Sequence, residues 1–380
     1  APNGEPIDIH VLFESEIPEQ VLRYSKMAAS AEQMGIKMTL IASNSPKTVG
    51  AQLAGNYDMV SGEGIWMDPS PDFPLQLMRA NPRFLVCQGD CNDENDKLID
   101  KFIFSTTKEE AIKHCHDLQV KLFLAGNPIQ FGYLNAVEPY SVEKFAGWVN
   151  TSGVGLIANR FNYMNVRLKN GDLGGQLRVA LWTGSPTNNP FMGSYVDQSQ
   201  LVFGGAGRGL VYESLAHTNN LVMTQDLDPL LASSWSTQKV GTGSILTINL
   251  VQDAKWHDGT PFTSKDVKFS LETYLNKGQS IYTWRINKVQ MTDIETPDDY
   301  TVKVHSDNQS FFLMRWVAVQ PMVAEHLWKD IEEPFSYVDN HPIGTGPFKF
   351  KAWEPGNFVH MVKNTEYRNL PEVFSGNRWA

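Results

Sequence analysis

Apolar and polar positions alternate along Ile7-Asp-Ile-His-Val-Leu-Phe13, the two-residue period of a half-buried strand. Between 18 and 34 the period lengthens. Val21, Leu22, Tyr24, Ala28, Ala31 and Met34 recur at helical spacing, and Gly35 supplies the stop. Alternation returns at Ile36-Lys-Met-Thr-Leu-Ile41, so the segment predicts a β-α-β unit with a parallel sheet. A short helix at about 46–54 and a strand at Tyr57-Asp-Met-Val60 add another α-β step. Residues 93–124 predict two helices, the first with Leu98, Ile99 and Phe102 inward, the second with Ala111, Cys115, Leu118 and Leu122. Ser105-Thr-Thr107 followed by Lys-Glu-Glu110 predicts an N-cap and capping box between them.

The texture changes near 170. Asn170-Gly-Asp-Leu-Gly-Gly-Gln176 is a polar connector, and the chain beyond it is rich in strands and turns. Ile245–Val251 predicts a strand, Asp258-Gly259 a turn, and Thr263 and Ser264 the cap of a helix with Val267, Leu271, Tyr274 and Leu275 inward. Val289–Ile294 and Tyr300–Val304 predict a hairpin turning at Pro297-Asp-Asp, and Pro342-Ile-Gly-Thr-Gly-Pro347 a rigid turn into Phe348-Lys-Phe350. The fold class expected is α/β, an α/β part followed by an α+β part.

Composition narrows the function. With 32 Lys and Arg against 42 Asp and Glu, the net charge of −10 works against nucleic acid or an anionic membrane, and no basic patch offsets it. Charged residues at 19% argue against disorder. The 20 Phe, 12 Tyr and 10 Trp exceed what core packing readily absorbs and hint at ring faces available to a ligand. No run of eighteen apolar residues reads as a membrane span, and Ala1-Pro-Asn-Gly-Glu5 has no signal-peptide character.

Cys87 and Cys91 sit in a Gly/Asp/Asn loop and could close a small disulfide or stay as thiols. Cys115 lies between His114 and His116 in a predicted helix, where neighbours point to different faces, so no metal site is expected there. Gly204-Gly-Ala-Gly-Arg-Gly209 lacks the Lys-Ser/Thr ending of a phosphate loop and reads as flexible. Neither Gly-x-Ser-x-Gly nor His-Glu-x-x-His is present. Asp68-Pro-Ser-Pro-Asp72 beside Trp66 offers two carboxylates that a glycosidase could use, although the prolines favour a stiff loop. Trp66 follows a strand in a Gly/Pro/Asp loop, where open α/β sheets place ligands. Trp256 reads as packing. Trp148, in Phe145-Ala-Gly-Trp-Val149, could be a stacking platform or core.

Leu177-Arg-Val-Ala-Leu181, Leu210-Val-Tyr-Glu-Ser-Leu215, Leu230-Leu-Ala-Ser-Ser-Trp235, Ala254-Lys-Trp-His-Asp-Gly-Thr-Pro-Phe-Thr-Ser-Lys-Asp-Val267 and Ile343-Gly-Thr-Gly-Pro-Phe348 occur in the order seen in family 5 extracellular solute-binding proteins, which the second half resembles. The first half also resembles them, through Gly4–Val11, the helix to Gly35-Ile36, Tyr57-Asp-Met59, Trp66, Asn92–Asp100 and Phe145-Ala-Gly-Trp148. The resemblance implies a periplasmic-binding-protein-like fold of type II with two lobes. It also implies that the segments stand in circularly permuted order and that the second lobe is incomplete. Residues 1–136 are then part of the second lobe, 137–170 a return segment, 171–176 a connector and 177–380 the first lobe, with a second chain one source of the remainder.

The function implied is that of a non-catalytic receptor for an ABC importer, periplasmic or extracellular and associated with the cell surface. It would capture an oligopeptide or oligosaccharide and deliver it to a permease, with no cofactor, no metal and no nucleic acid. The expected ligand-facing residues are Trp66, Asp68 and Trp148, then Asn189 and Phe191. Asp68 could hold a peptide amino terminus, whereas His326-Leu-Trp328 resembles oligosaccharide-binding relatives. Two other readings stay open: a glycoside hydrolase using Asp68 and Asp72, and a permuted or trimmed scaffold without a ligand.

Overall fold

The computed structural model describes residues 7–15, 17–43, 47, 51, 57–60, 71, 93–124, 138–150, 155–156, 159–172, 174–180, 188–192, 209–218, 227–277, 290–354 and 357–368. Two compact units divide the chain, one built from 1–65, 71–103 and 108–132, the other from 66–70, 104–107 and 133–380.

In the first unit, strand β1 (Ile7–Glu14), helix α1 (Pro18–Glu32), strand β2 (Ile36–Ser43) and strand β3 (Met59–Val60) form a parallel sheet in the order β2-β1-β3. The register runs from Ile7 opposite Ile36 to Glu14 opposite Ser43. Pro18 starts α1 at a position where a missing N–H costs nothing, and Gly35, with φ +75°, makes the turn into β2. Val11, Phe13 and Tyr24 form the buried core, with Ile9, Met27, Met38, Leu40 and Met59 packed around it. The inward row of α1 differs from the sequence expectation. Gln20, Tyr24 and Ala31 are buried, whereas Val21, Leu22 and Met34 are 39%, 59% and 71% exposed. At 100° per residue, the row through 20, 24, 27 and 31 turns 21 and 22 away from the sheet.

Helices α2 (Asp93–Ile103) and α3 (Lys108–Leu124) complete the described part of this unit. They bury Ile99, Phe102 and Ile103 on one and Ala111, Cys115, Leu118 and Leu122 on the other, and a Lys121–Glu94 ion pair of 2.8 Å links them. Cys115 faces the core, where burial pushes its thiol pKa up, while the His114 ring reaches the Lys101 carbonyl at 2.9 Å. The three neighbours in 114–116 do not converge. The helix expected at 46–54 lies mostly, and the possible disulfide of Cys87 and Cys91 wholly, outside the described residues.

The second unit opens with strands β4 (Phe145–Ala146) and β5 (Arg167–Leu168), an antiparallel pair with helix α4 (Arg160–Asn165) between them in sequence. Strands β6 (Ala216–Thr218) and β7 (Leu227–Pro229) pair next. Strands β8 (Ala232–Val240) and β9 (Gly243–Leu250), helix α5 (Ser264–Lys277) and strands β10 (Met291–Asp298) and β11 (Thr301–Ser306) follow. The four strands make an antiparallel sheet in the order β10-β11-β9-β8. Leu246, Ile248, Val302, Val304 and Ile294 are buried, as are Val267, Leu271 and Tyr274 on α5, which packs against β10 and β11. The hairpin turns at Asp299-Tyr300, two residues beyond the expected place, because Asp298 still pairs with Thr301 while its carboxylate accepts from the Tyr300 N–H at 2.8 Å. Helices α6 (Leu313–Ala318) and α7 (Glu325–Trp328) and the antiparallel strands β12 (Phe348–Glu354) and β13 (Phe358–Lys363) finish the unit.

The Ala254–Val267 segment is held by one carboxylate. Asp266 Oδ2 accepts from the Thr263 N–H at 2.9 Å, the returning half of a capping box, and from Trp256 Nε1 at 3.3 Å; Oδ1 accepts from the Glu325 N–H at 3.0 Å. Trp256 is 2% exposed and packs edge-on against Phe262, so it is core. His257 reaches the Gly-Thr-Gly turn: its Nδ1 accepts from the Gly344 N–H at 3.3 Å, which leaves Nε2 to donate to the Gly346 carbonyl at 2.9 Å. Burial holds the His257 pKa below its ordinary value, consistent with a neutral ring in that role.

That turn lies against residues 210–212 with no room for a side chain. A Cβ on Gly344 would overlap the Val211 carbonyl oxygen, and one on Gly346 that of Leu210. Gly346→Ala should therefore lower the urea-unfolding stability by about 2 kcal/mol or more. Gly241→Ala, at φ +59° with nothing within 4 Å, should cost about 1 kcal/mol from backbone strain alone. Equal losses for the two variants would contradict the close approach.

Candidate functional site

A charged group enters an otherwise apolar run at Leu210-Val-Tyr-Glu-Ser-Leu215, and Glu213 is 1% exposed. A carboxylate withdrawn from water needs partners. Arg160 Nη2 donates to its Oε1 at 2.6 Å and Arg368 Nη1 to its Oε2 at 2.7 Å. The Tyr367 hydroxyl donates to Oε1 at 2.8 Å while accepting from Arg160 at 3.1 Å, and the Thr345 hydroxyl donates to Oε2 at 3.2 Å.

Burial alone would raise the Glu213 pKa, but the Coulombic pull of Arg368 and Arg160 reverses it, and the carboxyl is lowered to about 2. Burial and the neighbouring carboxylate push the Tyr367 phenol up to about 12. Two guanidinium groups share one carboxylate. Arg160 Nη1 and Arg368 Nε and Nη2 are buried without a hydrogen-bond partner among the described residues.

Helix α4 connects this charged node to an aromatic one. Its N-cap Asn159 accepts from the Phe161 N–H at 3.0 Å, which fixes the start of the helix and so the direction of Arg160. Asn162, one turn on, accepts from the Val149 N–H at 2.7 Å and donates to the Val149 carbonyl at 2.9 Å, and Asn159 donates to that carbonyl at 3.1 Å. The backbone beside Trp148 is thereby clamped. Gly147, at φ +90°, turns the chain there, with the Asn165 carbonyl oxygen 3.0 Å from where its Cβ would stand. The Trp148 ring is half-buried and meets Tyr140, itself 50% exposed, at 5.4 Å and 49°. Its Nε1 makes no hydrogen bond among the described residues.

Of the residues expected to face a ligand, Trp66 and Asp68 lie outside the described residues, as does Asp72. Trp148 keeps a partly open ring on a fixed backbone. Asn189 and Phe191 do not face an opening. Asn189 Nδ2 donates to the carbonyls of Pro334 and Tyr337 at 2.7 and 2.8 Å, and its Oδ1 accepts from the Phe191 N–H at 2.8 Å. Phe191 is 0% exposed among Tyr274, Trp328 and Phe335, with ring centroids 4.9–5.2 Å away. The expectation is corrected for this pair: a Pro after Asn189 makes a short 3-10 turn whose next residue, Phe191, points into the core. In His326-Leu-Trp328, Trp328 belongs to the same buried cluster and His326 Nε2 lies 2.9 Å from Asp258 Oδ2, while His326 and Leu327 are exposed. Sequence reasoning missed Arg160, Glu213, Tyr367 and Arg368. The available signal was a glutamate inside an apolar run, which demands a cation from elsewhere.

Residues 226–375 match the family model described as Bacterial extracellular solute-binding proteins, family 5 Middle. A Brucella ovis protein, provisionally named an ABC transporter peptide-binding protein, is 35% identical over 126 residues, covering 32% of this chain and 24% of its own length. The oligopeptide-binding protein AppA of Bacillus subtilis is 26% identical over 189 residues, 44% of this chain and 34% of that one. The chain thus spans about a quarter to a third of the length of these curated relatives. Among solved structures, AgaA from Agrobacterium tumefaciens R10 in complex with agropinic acid is similar at a TM-score of 0.40 and 29% identity, covering 49% of this chain and 35% of that one. No helix among the described residues is long and apolar enough to cross a membrane.

The folded pKa of Glu213 is depressed from 4.5 to about 2, so its ionised form stabilises the fold above about pH 4.5, and that contribution is lost as pH falls from 4.5 through 2. Glu213→Gln, which strands two buried guanidinium groups, should cost on the order of 3–5 kcal/mol at neutral pH in urea unfolding. It should also flatten the decline in stability between pH 4.5 and 2 seen for the unsubstituted chain. An unchanged acid limb would contradict the pairing.

Proposed function

We propose that the chain is the substrate-binding receptor of an ABC importer, capturing an oligopeptide outside the cytoplasmic membrane and passing it to a permease without altering it. The observation that carries this reading is the family 5 match over 226–375, a stretch that contains both the capped Asp266 segment and the Gly-Thr-Gly turn against Glu213. The names of the Brucella and Bacillus relatives favour a peptide. In the segment that favoured an oligosaccharide, His326-Leu-Trp328, the Trp328 ring is committed to the core cluster and His326 to Asp258, while Leu327 is exposed.

In this reading the protein is a two-lobe trap of the periplasmic-binding type, closing around its ligand so that water leaves the site. Residues 177–380 form the first lobe and 1–136 part of the second in permuted order, joined through 137–170 and the connector at 171–176. Trp148, backed by Tyr140, stacks on a peptide side chain or peptide plane, and Trp66 and Asp68 face the ligand, with Asp68 holding the amino terminus. Asn189 and Phe191 act indirectly, by fixing the packing behind the first lobe. Where the second lobe is incomplete, a second chain supplies its remainder. Intact mass with terminal sequencing tests the order of the segments.

Tryptophan fluorescence and calorimetry against peptide and oligosaccharide libraries test the function. A peptide response weakened about tenfold or more by Trp148→Ala is expected. Saccharide binding without peptide binding would replace the ligand class. Turnover of aryl glycosides abolished by Asp68→Asn would replace the receptor with a hydrolase, and a folded sample silent to both libraries would leave a scaffold.

A further inference from the structure

The solvent face of the second unit's four-stranded sheet carries a group of donors that the proposed receptor role leaves unused. Asp293 on β10 stands opposite His305 on β11, and Glu295, two residues along the same strand, shares their face by the strand's two-residue period. One ligand atom from each of the three lies within 4.8 Å of the others. Glu295 Oε1 is 2.9 Å from His305 Nε2, yet that nitrogen is shielded from water and not aligned for a hydrogen bond. It therefore faces the carboxylates with no well-directed acceptor among the described residues.

We propose that Asp293, Glu295 and His305 bind a divalent cation of the zinc, cobalt or nickel type. The mixed donor set decides the class. Calcium and magnesium prefer oxygen alone, whereas an imidazole nitrogen with two carboxylates suits borderline first-row ions. Donors at about 2.1 Å from a tetrahedral ion stand about 3.4 Å apart, so a pair at the 4.8 Å limit needs to draw in by about 1.4 Å, a shift that side-chain rotation supplies. His305 lies on a strand flanked on both sides, opposite Asp293 of β10 and Ile245 of β9.

Three protein donors leave at least one position for water or for a group from a partner molecule. Lys303 stands opposite Glu295 in the ladder, on the same face, where its ammonium can compete for that carboxylate. Lys268 is occupied elsewhere, donating to the Ile294 carbonyl at 2.8 Å.

The test is calorimetric titration of the untagged full chain with zinc chloride, with cobalt absorption as a spectroscopic readout of imidazole ligation. The chain has 9 histidines, so variants assign the site. One equivalent is expected to weaken about tenfold or more in His305→Ala and in Asp293→Asn, and to tighten in Lys303→Met, with circular dichroism unchanged. All three substitutions sit on partly or fully exposed sheet positions, where the fold tolerates them. Uptake that is the same in His305→Ala and Asp293→Asn, or no uptake of either ion, would overturn the proposal. Peptide binding is read separately, so this site and the receptor function stand or fall independently.

Discussion

The second unit depends on one buried charge. Glu213 is withdrawn from solvent, and its carboxylate is stabilised because Arg160, Thr345 and the adjacent Tyr367 and Arg368 come to it from three places in the chain. Each of the three places brings its own element. Arg160 brings α4, Thr345 the Gly-Thr-Gly turn, and Tyr367 with Arg368 the stretch after β13. Backbone bonds reinforce the arrangement, since the Gly346 and Phe348 N–H groups donate to the carbonyls of Val211 and Leu210 at 2.9 and 3.1 Å. The turn has glycines at 344 and 346 because the chain carrying the carboxylate passes where their side chains would stand.

From that node the order reaches the aromatic pair. With α4 oriented by the Arg160 pair and the Asn159 cap, Asn162 is placed to bond both polar groups of Val149, and Trp148 projects from a backbone that cannot drift. A ring fixed before a ligand arrives loses little entropy on binding. Charge balance adds a second consequence. One carboxylate between two guanidinium groups leaves the node cationic, so loss of the carboxylate is far more damaging than loss of an ordinary surface ion pair.

Legibility in the sequence followed the range of the interactions. Helix α3 buries the expected Ala111, Cys115, Leu118 and Leu122, because a single apolar stripe on a helix has one way to face inward. Helix α1 carries apolar residues on more than one row, and the packing against β1 selected the row of Tyr24 and Ala31 over Val21 and Leu22. Strand β8 did not announce itself, since Ala232–Val240 is polar on both faces and is held mainly by its ladder with β9 at the sheet edge. The node was invisible to spacing: Arg160 and Arg368 lie 53 and 155 residues from Glu213. Only the burial of a glutamate among Leu210, Val211, Tyr212 and Leu215 hinted that cations had to come from far away.

A double-mutant cycle between Arg160 and Glu213, read by urea unfolding of the unsubstituted chain, Arg160→Met, Glu213→Gln and the double variant, measures the central interaction directly. The two groups meet in a site closed to water, so a coupling of about 2 kcal/mol or more is expected, the double variant losing much less than the two single losses together. Additivity within about 0.5 kcal/mol would show that the two residues act independently and that the buried carboxylate does not organise this unit.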